Sequence, residues 1–444
     1  MILVRFLTSF LVAGALASAP AVASEAKVAA AKLPEAFERQ DVPLPDPDLW
    51  HRIRMGFTLE PMESPLVLEN EAWYASRPEY IRRFVDRGSR YLHHIVEQVE
   101  KRGMPMEIAL LPVVESAFTP KAYSRAKASG LWQFIPSTGK DYGLTQDWWR
   151  DNRNDVVAAT DAALSYLQRL HAMFGSWELA LAAYNCGEGR VSRAIAANQK
   201  KGLPTDFLSL KLPDETRNYV PRLIAVKNIV LAPATYGIDL ESVPNQPYFT
   251  AVQAPKKIDV PLAAKLAGMS VEEFVALNPA HNKPVAVAPT GTLIVPLDKA
   301  DAFRTNLENY DKPLVTWTTY MAKKGDSLDA IGKRHKVAPA QMRAVNESVK
   351  LDRNGRLRSA QQVLVPISKQ APVQLAQAAT PATDAAPEGR APRIAAAIGI
   401  YTVRAGDTLY GIARRANIAI DNLLHLNGLT ASSVLKPGLK LKLQ

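Results

Sequence analysis

The sequence predicts a multidomain protein with a mostly α-helical block followed by small α+β modules of the βααβ type. Between residues 78 and 235, apolar residues recur at the i, i+3, i+4 spacing of helices, and almost no stretch alternates like a strand. Beyond Pro233, short strand-like runs and turn residues replace that pattern, and one segment recurs at an offset of 81 residues. The length of 444 residues is consistent with several domains.

The N-terminus predicts a cleaved secretory signal over residues 1–23. Arg5 supplies a positive charge, an apolar run follows, and residues 21–23 have the small-x-small pattern of a signal-peptidase site. The apolar run is shorter than the ~20 residues that span a bilayer. The single cysteine, Cys186, is too distant to carry a lipid at this site. We therefore expect export to the periplasm or cell envelope of a Gram-negative bacterium without lipid attachment, and peripheral membrane association stays open.

Residues 24–74 are rich in Pro, Ala and charge and predict an irregular lead-in. The helical block that follows is assigned to residues 75–240. Its first helix is predicted around residues 81–99 and is ended by Gly103 and Pro105, with His93 and His94 expected at its surface. Further helices are predicted over residues 106–116, 155–174, 177–186, 189–199 and 215–232.

The C-terminal part contains two clear copies of a module, over residues 318–368 and 400–444. Each copy has a strand, a Gly-Asp-Thr/Ser-Leu turn, two short helices and a closing strand. A weaker, degenerate copy over residues 250–298 lacks that turn. Between the clear copies, residues 369–399 contain 15 Ala or Pro among 31 residues, which predicts a flexible tether.

The positive charge lies at the C-terminal end. The net charge is +11, and residues 318–444 contain 19 Lys or Arg against 8 Asp or Glu. This part should meet an acidic partner, and charge alone leaves nucleic acid, anionic lipid and an acidic wall polymer open. Export argues against nucleic acid. The sequence has no HExxH, no His-rich ligand spacing and no glycine-rich phosphate loop, so we expect no metal and no cofactor.

One polar constellation in the helical block can carry chemistry. Glu115 follows five uncharged residues, and an apolar setting raises a carboxyl pKa so that the proton is available near neutral pH. From this residue alone, a helix-terminal Glu facing water is the more common case, and only the segments that follow favour a catalytic acid. Polar and aromatic residues then cluster in residues 124–138, 183–189 and 215–221. Rings stack on pyranose faces and amides bind hydroxyl and N-acetyl groups, so these segments predict a sugar site.

Four motifs in this order and spacing resemble the catalytic domain of soluble lytic transglycosylases, which shares the goose-type lysozyme fold. The motifs are Glu115-Ser116-x-Phe118, Gly130-Leu131-Trp132-Gln133, Ala183-Tyr184-Asn185-x-Gly187 and Glu215-Thr216-x-x-Tyr219-Val220. The repeats resemble LysM modules, which bind N-acetylglucosamine-containing glycans. The combination resembles the lytic murein transglycosylase D group over roughly residues 75–444.

The resemblance implies a lyase that cleaves the β-1,4 bond between N-acetylmuramic acid and N-acetylglucosamine of peptidoglycan without water. Glu115 would protonate the glycosidic oxygen and then accept the proton of the muramic C6 hydroxyl, which closes a 1,6-anhydro ring. A hydrolytic muramidase stays open, as does a non-catalytic wall-binding protein. Ordinary glycosidases use two carboxyl groups. The other motif segments offer Glu188, expected to be solvated, and Glu215, expected as a first-turn acid or structural partner.

The resemblance also implies which residues bind glycan. The cleft residues would be Ser116, Ser124, Gln133, Tyr184, Asn185 and Tyr219, with Tyr219 close to Glu115. For Trp132, a core role and a stacking role are equally expected. In the C-terminal module the glycan would contact Gly406, Asp407, Thr408, Asn427 and Leu429. We expect this copy to bind better than the first one, where Glu347 stands in place of an apolar contact.

Overall fold

The computed structural model describes residues 47–367, 400–403, 412, 420–429 and 438–443 of the chain. These residues belong to two compact units that divide after Pro372. The predicted signal peptide, the predicted linker over residues 369–399, and Gly406, Asp407 and Thr408 lie outside the described residues.

The first unit opens with a helical domain. Its α-helices are α1 (Leu49–Met55), α2 (Pro65–Ala75), α3 (Pro78–Gly88), α4 (Leu92–Lys101), α5 (Leu111–Ser116), α6 (Pro136–Asp141), α7 (Val156–Phe174), α8 (Trp177–Cys186), α9 (Glu188–Gln199) and α10 (Asp214–Leu231). A 3₁₀ turn over Met106–Leu110 leads into α5. Buried apolar side chains form one core, in which α10 packs against α1, α2, α5 and α8.

The predicted helix ends of this domain are confirmed where a cap fixes them. Asp155 accepts a hydrogen bond from the Ala158 N–H at 3.0 Å, and α7 starts at the next residue. The same helix stops at Gly175, whose φ of 70° is the left-handed conformation that favours glycine. Ser176 then caps α8.

The prediction of an irregular lead-in is wrong for residues 49–75, which form α1 and α2. Asp48 and Ser64 cap these helices, and Pro65 occupies the first position of α2. Trp50 is buried in the main core, and its Nε1 donates a hydrogen bond to the Glu241 carbonyl at 2.9 Å. The capping residues were the signal, and the Pro-rich composition around them obscured it.

The expected long helix around residues 81–99 is two helices. α3 ends at Gly88, where an added Cβ would lie 2.8 Å from Cδ2 of Phe118. The chain turns through residues 89–91, and α4 begins at Leu92. The expectation that His93 is a surface residue is wrong, because its side chain is buried and lies 3.4 Å from the Arg52 guanidinium.

Two βααβ modules follow in the first unit. The strands are β1 (Phe249–Gln253), β2 (Lys257–Asp259), β3 (Val285–Val287), β4 (Thr292–Pro296), β5 (Trp317–Ala322) and β6 (Gln361–Pro366). The helices are α11 (Val260–Leu266), α12 (Val271–Leu277), α13 (Ala300–Glu308), α14 (Leu328–Arg334) and α15 (Pro339–Val345). β1 pairs with β4 and β5 with β6, both antiparallel. In the degenerate copy, a β2–β3 pair stands where the turn motif is missing.

An asparagine at the end of the second helix fastens the closing strand of each module. Nδ2 of Asn346 donates to the carbonyls of Met342 and Leu364 at 2.9 and 3.0 Å, and Oδ1 accepts from the Leu364 N–H at 2.7 Å. Asn278 in the degenerate copy and Asn427 in the second unit make the corresponding bonds. The degenerate copy therefore keeps this bonding pattern of the clear copies.

The second unit is described by β7 (Ile400–Thr402), α16 (Ile420–Asn427) and β8 (Lys440–Lys442). β7 and β8 pair antiparallel. A small core of Val403, Ile412, Leu423 and Leu441 joins the strands to α16.

The degenerate module is fastened to the helical domain by backbone and aromatic contacts. The Asp151 N–H donates to the Ala280 carbonyl at 2.9 Å, and the Asn282 N–H donates to the Trp149 carbonyl at 2.8 Å. The hydroxyl of Tyr91 donates to the Ala276 carbonyl at 2.9 Å. Ammonium groups of the module also lie over two tryptophan rings of the helical domain, Lys257 over Trp149 and Lys283 over Trp148.

Candidate active site

Glu115 lies in the last turn of α5, where the helix is forced to end. Ala117 and Phe118 both adopt positive φ, 47° and 54°, which cannot continue a right-handed helix. Phe118 is buried against the core and anchors this turn. The Glu115 side chain keeps partial contact with solvent. The carboxyl is thus held at a helix end with one side open to a ligand.

The environment of Glu115 favours the protonated acid. Burial among apolar atoms raises the pKa of the carboxyl to about 7, although a hydrogen bond from Tyr219 opposes the shift. The negative charge of Glu215 adds to the rise, and the positive charge of Arg222 acts against it. The Tyr219 hydroxyl donates to Oε1 of Glu115, and the pKa of this phenol is raised well above its usual range, chiefly by burial. A carboxyl of this kind can give and take a proton near neutral pH.

A tight hairpin over residues 122–134 lies next to Glu115 in the fold. Gly130 is at its centre, with a φ of 86°, and an added Cβ would lie 2.1 Å from the Arg153 carbonyl oxygen. Arg153 is buried and donates to the Lys127 and Phe134 carbonyls at 2.6 and 3.0 Å, while Asp151 pairs with its guanidinium at 2.6 Å. The hairpin is therefore tied to the core by a buried cation.

Three predicted sugar ligands support this hairpin through their side chains. The Ser116 hydroxyl donates to the Leu131 carbonyl at 2.9 Å, and Ser124 Oγ accepts from the Ala128 N–H at 3.0 Å. Nε2 of Gln133 donates to the Gly130 carbonyl at 2.8 Å. These bonds hold the three residues within or against the hairpin, and their contact with substrate stays a prediction.

Trp132 is a core residue. Its side chain is fully buried, and Nε1 donates to Oγ1 of Thr160 at 3.0 Å. Its carbonyl accepts from the Tyr184 hydroxyl at 2.8 Å. The pKa of Tyr184 is raised well above its usual range, first by burial and then by the negative charge of Glu115, which places the two side chains close together.

Asn185 is oriented by one hydrogen bond. Its Oδ1 accepts from the Thr216 hydroxyl at 2.7 Å. Its Nδ2 donates to no residue within the described part of the chain, so this amide group can serve a ligand. Tyr219 thus contacts Glu115 directly, and the charge of Glu115 acts on Tyr184, the residue before Asn185.

The two other acids of the motif segments have different environments from Glu115. Glu188 accepts from the Tyr166 hydroxyl at 2.9 Å and pairs with Arg169 at 2.6 Å. Partial burial acts to raise its pKa, but these bonds outweigh it and leave the pKa lowered. Glu188 is thus paired rather than simply solvated, in contrast to expectation. Glu215 is exposed in the first turn of α10.

The sequence interpretation missed Arg222 and the α2–α3 wall near it. Arg222 lies one turn after Tyr219 on α10, a spacing that places both on one face of the helix. Its charge acts on Glu115 as described above. The i, i+3 relation to a predicted site tyrosine was the available signal.

The two described glycan-binding candidates of the second unit have structural contacts. The Asn427 amide is occupied by the strand-fastening bonds, and Leu429 packs against the small core. Their role in glycan binding stays a prediction.

Among the described residues, no helix combines the length and apolarity needed to cross a bilayer. The same residues contain no group of three or more His, Cys, Asp or Glu placed to hold a metal ion.

Family profiles match most of the chain. The transglycosylase SLT domain matches residues 94–206, which include Glu115, Gln133 and Tyr184. The LysM-like domain of the lytic transglycosylase MltD matches residues 248–312. The LysM domain matches residues 320–366 and 401–444.

Three known proteins show how far the similarity extends. The chain is 35% identical over 413 residues to the membrane-bound lytic murein transglycosylase D of Escherichia coli strain K12, covering 90% of this chain and 86% of the relative. It is 37% identical over 120 residues to the peptidoglycan transglycosylase gp16 of Escherichia phage T7, covering 27% of this chain and 9% of the relative. The solved structure of the soluble lytic transglycosylase SLT70 of Escherichia coli aligns with a TM-score of 0.25 at 25% identity, over 32% of this chain and 23% of that one.

The hairpin beside Glu115 predicts a contrast between two glycine substitutions. Gly130 and Gly143 both have positive φ, but only Gly130 has backbone atoms where a Cβ would stand. Gly143→Ala should cost roughly 1–2 kcal/mol for the left-handed backbone alone. Gly130→Ala should cost roughly 3 kcal/mol or more, because overpacking adds to the same backbone term. Thermal unfolding of the intact chain measures the difference, and equal losses of Tm in the two variants would contradict this account of the hairpin.

Proposed function

The chain belongs to the lytic murein transglycosylase D family, and we propose that Glu115 is both the acid and the base of its peptidoglycan cleavage. The observation that carries this assignment is a single carboxyl in the last turn of α5 that accepts a hydrogen bond from Tyr219 and whose pKa is raised by burial to about 7. The other acids of the motif segments are ion-paired or exposed. One carboxyl suffices when the nucleophile belongs to the substrate, whereas glycosidases that use water require a second one.

In the proposed reaction, Glu115 first donates one proton and later accepts another. Glu115 donates its proton to the glycosidic oxygen as the bond from that oxygen to C1 of N-acetylmuramic acid breaks. The resulting carboxylate then accepts the C6 hydroxyl proton as O6 bonds to C1 and closes the 1,6-anhydro ring. The N-acetylglucosamine side leaves with a free 4-hydroxyl, and no water is consumed. An internal hydroxyl held near C1 has an effective concentration that can reach ~10⁵ M or more.

Neighbouring groups can stabilise the carboxylate form of Glu115 and bind the glycan. The Tyr219 hydroxyl remains protonated, because its pKa is raised, and so it can hold the carboxylate that forms after the first step. Asn185 offers its free Nδ2 to an N-acetyl or hydroxyl oxygen. Ser116, Ser124, Gln133 and Tyr184 complete the proposed glycan cleft.

The LysM modules serve wall targeting in this proposal. Module and cleft would bind one polymer, so tethered sites raise the apparent affinity through effective concentration. The excess of Lys and Arg after residue 318 adds attraction to wall carboxylates. Cleavage of a signal peptide after residue 23 would release the enzyme into the periplasm, where it can reach this substrate.

Replacing the proton donor should stop the chemistry and keep the fold. Glu115→Gln is nearly isosteric but can neither give nor accept the proton, so we expect product formation to fall by about 10²-fold or more. The measurement is mass analysis of soluble products from purified sacculi. Wild-type products should end in 1,6-anhydromuramic acid, one water lighter than hydrolysis products.

The matched control is Glu79→Gln, which removes an exposed carboxylate paired with Arg82 on α3. It should release the same products at the wild-type rate. Activity of Glu115→Gln within about tenfold of wild type would contradict the assignment, since loss of a general acid costs typically 10²–10⁴-fold. Reducing muramic ends from the wild-type protein would instead indicate a hydrolytic muramidase.

The raised pKa predicts the pH dependence of the reaction. The free enzyme needs protonated Glu115, so kcat/KM on soluble strands should be highest below pH 7 and decline above a midpoint near 7. The Tyr219 hydrogen bond lowers this pKa, so Tyr219→Phe should move the midpoint to higher pH. Tyr310→Phe, just after α13, is the control and should leave the midpoint in place. A midpoint that moves to lower pH in Tyr219→Phe is the contradicting result.

A further inference from the structure

A pocket opens next to α5, the helix that carries Glu115. It has a volume of about 350 Å³ and lies between α2, α3 and α10. Val114, the residue before Glu115, lines it. The other lining residues that matter here are Asn70, Trp73, Tyr74, Tyr80, Asn218 and Arg222. The pocket is therefore adjacent to the proposed reaction centre and is made largely by helices that the motif residues do not include.

Two donor groups on α10 line this pocket without an acceptor. Oδ1 of Asn218 accepts from Nδ2 of Asn70 at 2.7 Å, and the Nδ2 of Asn218 donates to no residue in the described ranges. The Arg222 guanidinium makes neither a hydrogen bond nor an ion pair with any residue that the structure describes. The two residues are four apart on one helix, so they face the same pocket. An unpaired guanidinium beside an amide donor suits a carboxylate, which it can bind through two parallel hydrogen bonds.

The other charged side chains near the pocket do not pair with Arg222, so its guanidinium is available to a ligand. Arg217, one turn earlier, pairs with Asp214 at 3.3 Å. Arg77 lies 4.5 Å from the centre of the Trp73 ring. Glu69 lines the rim of the pocket, where it is exposed to solvent and makes no ion pair with Arg222 among the described residues. Solvent screens a carboxylate at such a position, so it does not neutralise the guanidinium.

Part of the aromatic wall of the pocket is already covered by other side chains of the chain. The Arg77 guanidinium covers the Trp73 ring, and this ring makes edge contacts with Tyr74 and Tyr80 at centroid distances of 5.0 and 5.2 Å. The glycan backbone also has no charge to match Arg222, because the lactyl carboxyl of muramic acid is joined in an amide to the stem peptide. The ionised carboxylates of peptidoglycan belong to that stem.

We propose that this pocket binds a carboxylate of the peptide stem next to the cleaved bond, with Arg222 as the ion-pair partner and Asn218 as a second donor. This inference rests on the proposed function. It makes the enzyme selective for strands that bear stems. Arg222 would hold the stem while Glu115, one residue beyond Val114, acts on the sugar.

The test compares two substrates in three variants of the full chain. The substrates are glycan strands with tetrapeptide stems and the same strands after the free carboxylates of the stems have been amidated, since enzymatic removal of the stems would expose the lactyl carboxylate of muramic acid. The variants are Arg222→Met, Arg222→Lys and the control Arg217→Met on the same helix. The readout is the ratio of kcat/KM for strands with free stem carboxylates to strands with amidated stems, counted as 1,6-anhydro ends. A ratio is required because the charge of Arg222 also acts on Glu115, and this effect is common to both substrates.

We expect wild type to prefer strands with free stem carboxylates and Arg222→Met to lower the ratio by roughly tenfold or more, as loss of a charged hydrogen bond does. Arg222→Lys should lower it less, since the charge remains without the two-pronged geometry. Arg217→Met should keep the wild-type ratio. Equal losses on both substrates, or no preference in wild type, would overturn the proposal and indicate that the pocket holds sugar or acts only on Glu115.

A binding measurement separates this proposal from the proposed function. Calorimetry with the free stem tetrapeptide, and with the same peptide after its carboxylates are amidated, needs no catalysis. Binding of the acid form to wild type that is weakened by amidation and by Arg222→Met supports the pocket, even if no 1,6-anhydro product is formed. Absence of binding to wild type, or equal binding of the two peptides, contradicts it.

Discussion

The structure depends on one constraint at the end of α5, where a carboxyl must be desolvated enough to keep a proton and still reach a polymer in solvent. Burial raises the pKa of Glu115 to about 7, and the Tyr219 hydroxyl holds the carboxylate form in place. A fully buried acid could not meet a sugar, and a fully exposed one would be ionised at neutral pH. The position of Glu115 at a helix end satisfies both requirements.

Two elements maintain that position. α10 packs against α5 and carries Tyr219 and Arg222, so one helix supplies both the hydrogen-bond donor and the opposing charge. The hairpin next to Glu115 is held by Arg153, whose guanidinium donates hydrogen bonds to two of its carbonyls. Asp151, which pairs with Arg153, also donates its backbone N–H to the degenerate module. Asp151 thus links the degenerate module to Arg153, which holds the hairpin.

The sequence predicted the parts of this architecture that local signals determine. Asp155 and Gly175 mark the ends of α7, and the repeat at an offset of 81 residues predicted the βααβ modules. The sequence interpretation missed α1 and α2 because their capping residues lie in a Pro-rich context. In the structure, the burial of Trp50 in the core stabilises α1. The environment of Glu115 was predicted from its apolar neighbours. The Arg222 pocket depends on α2, α3 and α10 meeting in space, which no local pattern records.

The central claim is that Glu115 holds its proton near neutral pH, and a direct titration of that carboxyl tests it best. The measurement follows the side-chain carboxyl carbon by NMR in the intact chain labelled at glutamate, with Glu115→Gln identifying the signal. The account predicts a midpoint near pH 7. A midpoint at the ordinary value of about 4.3 for a glutamate would contradict it, because the carboxyl would then be ionised before substrate binds.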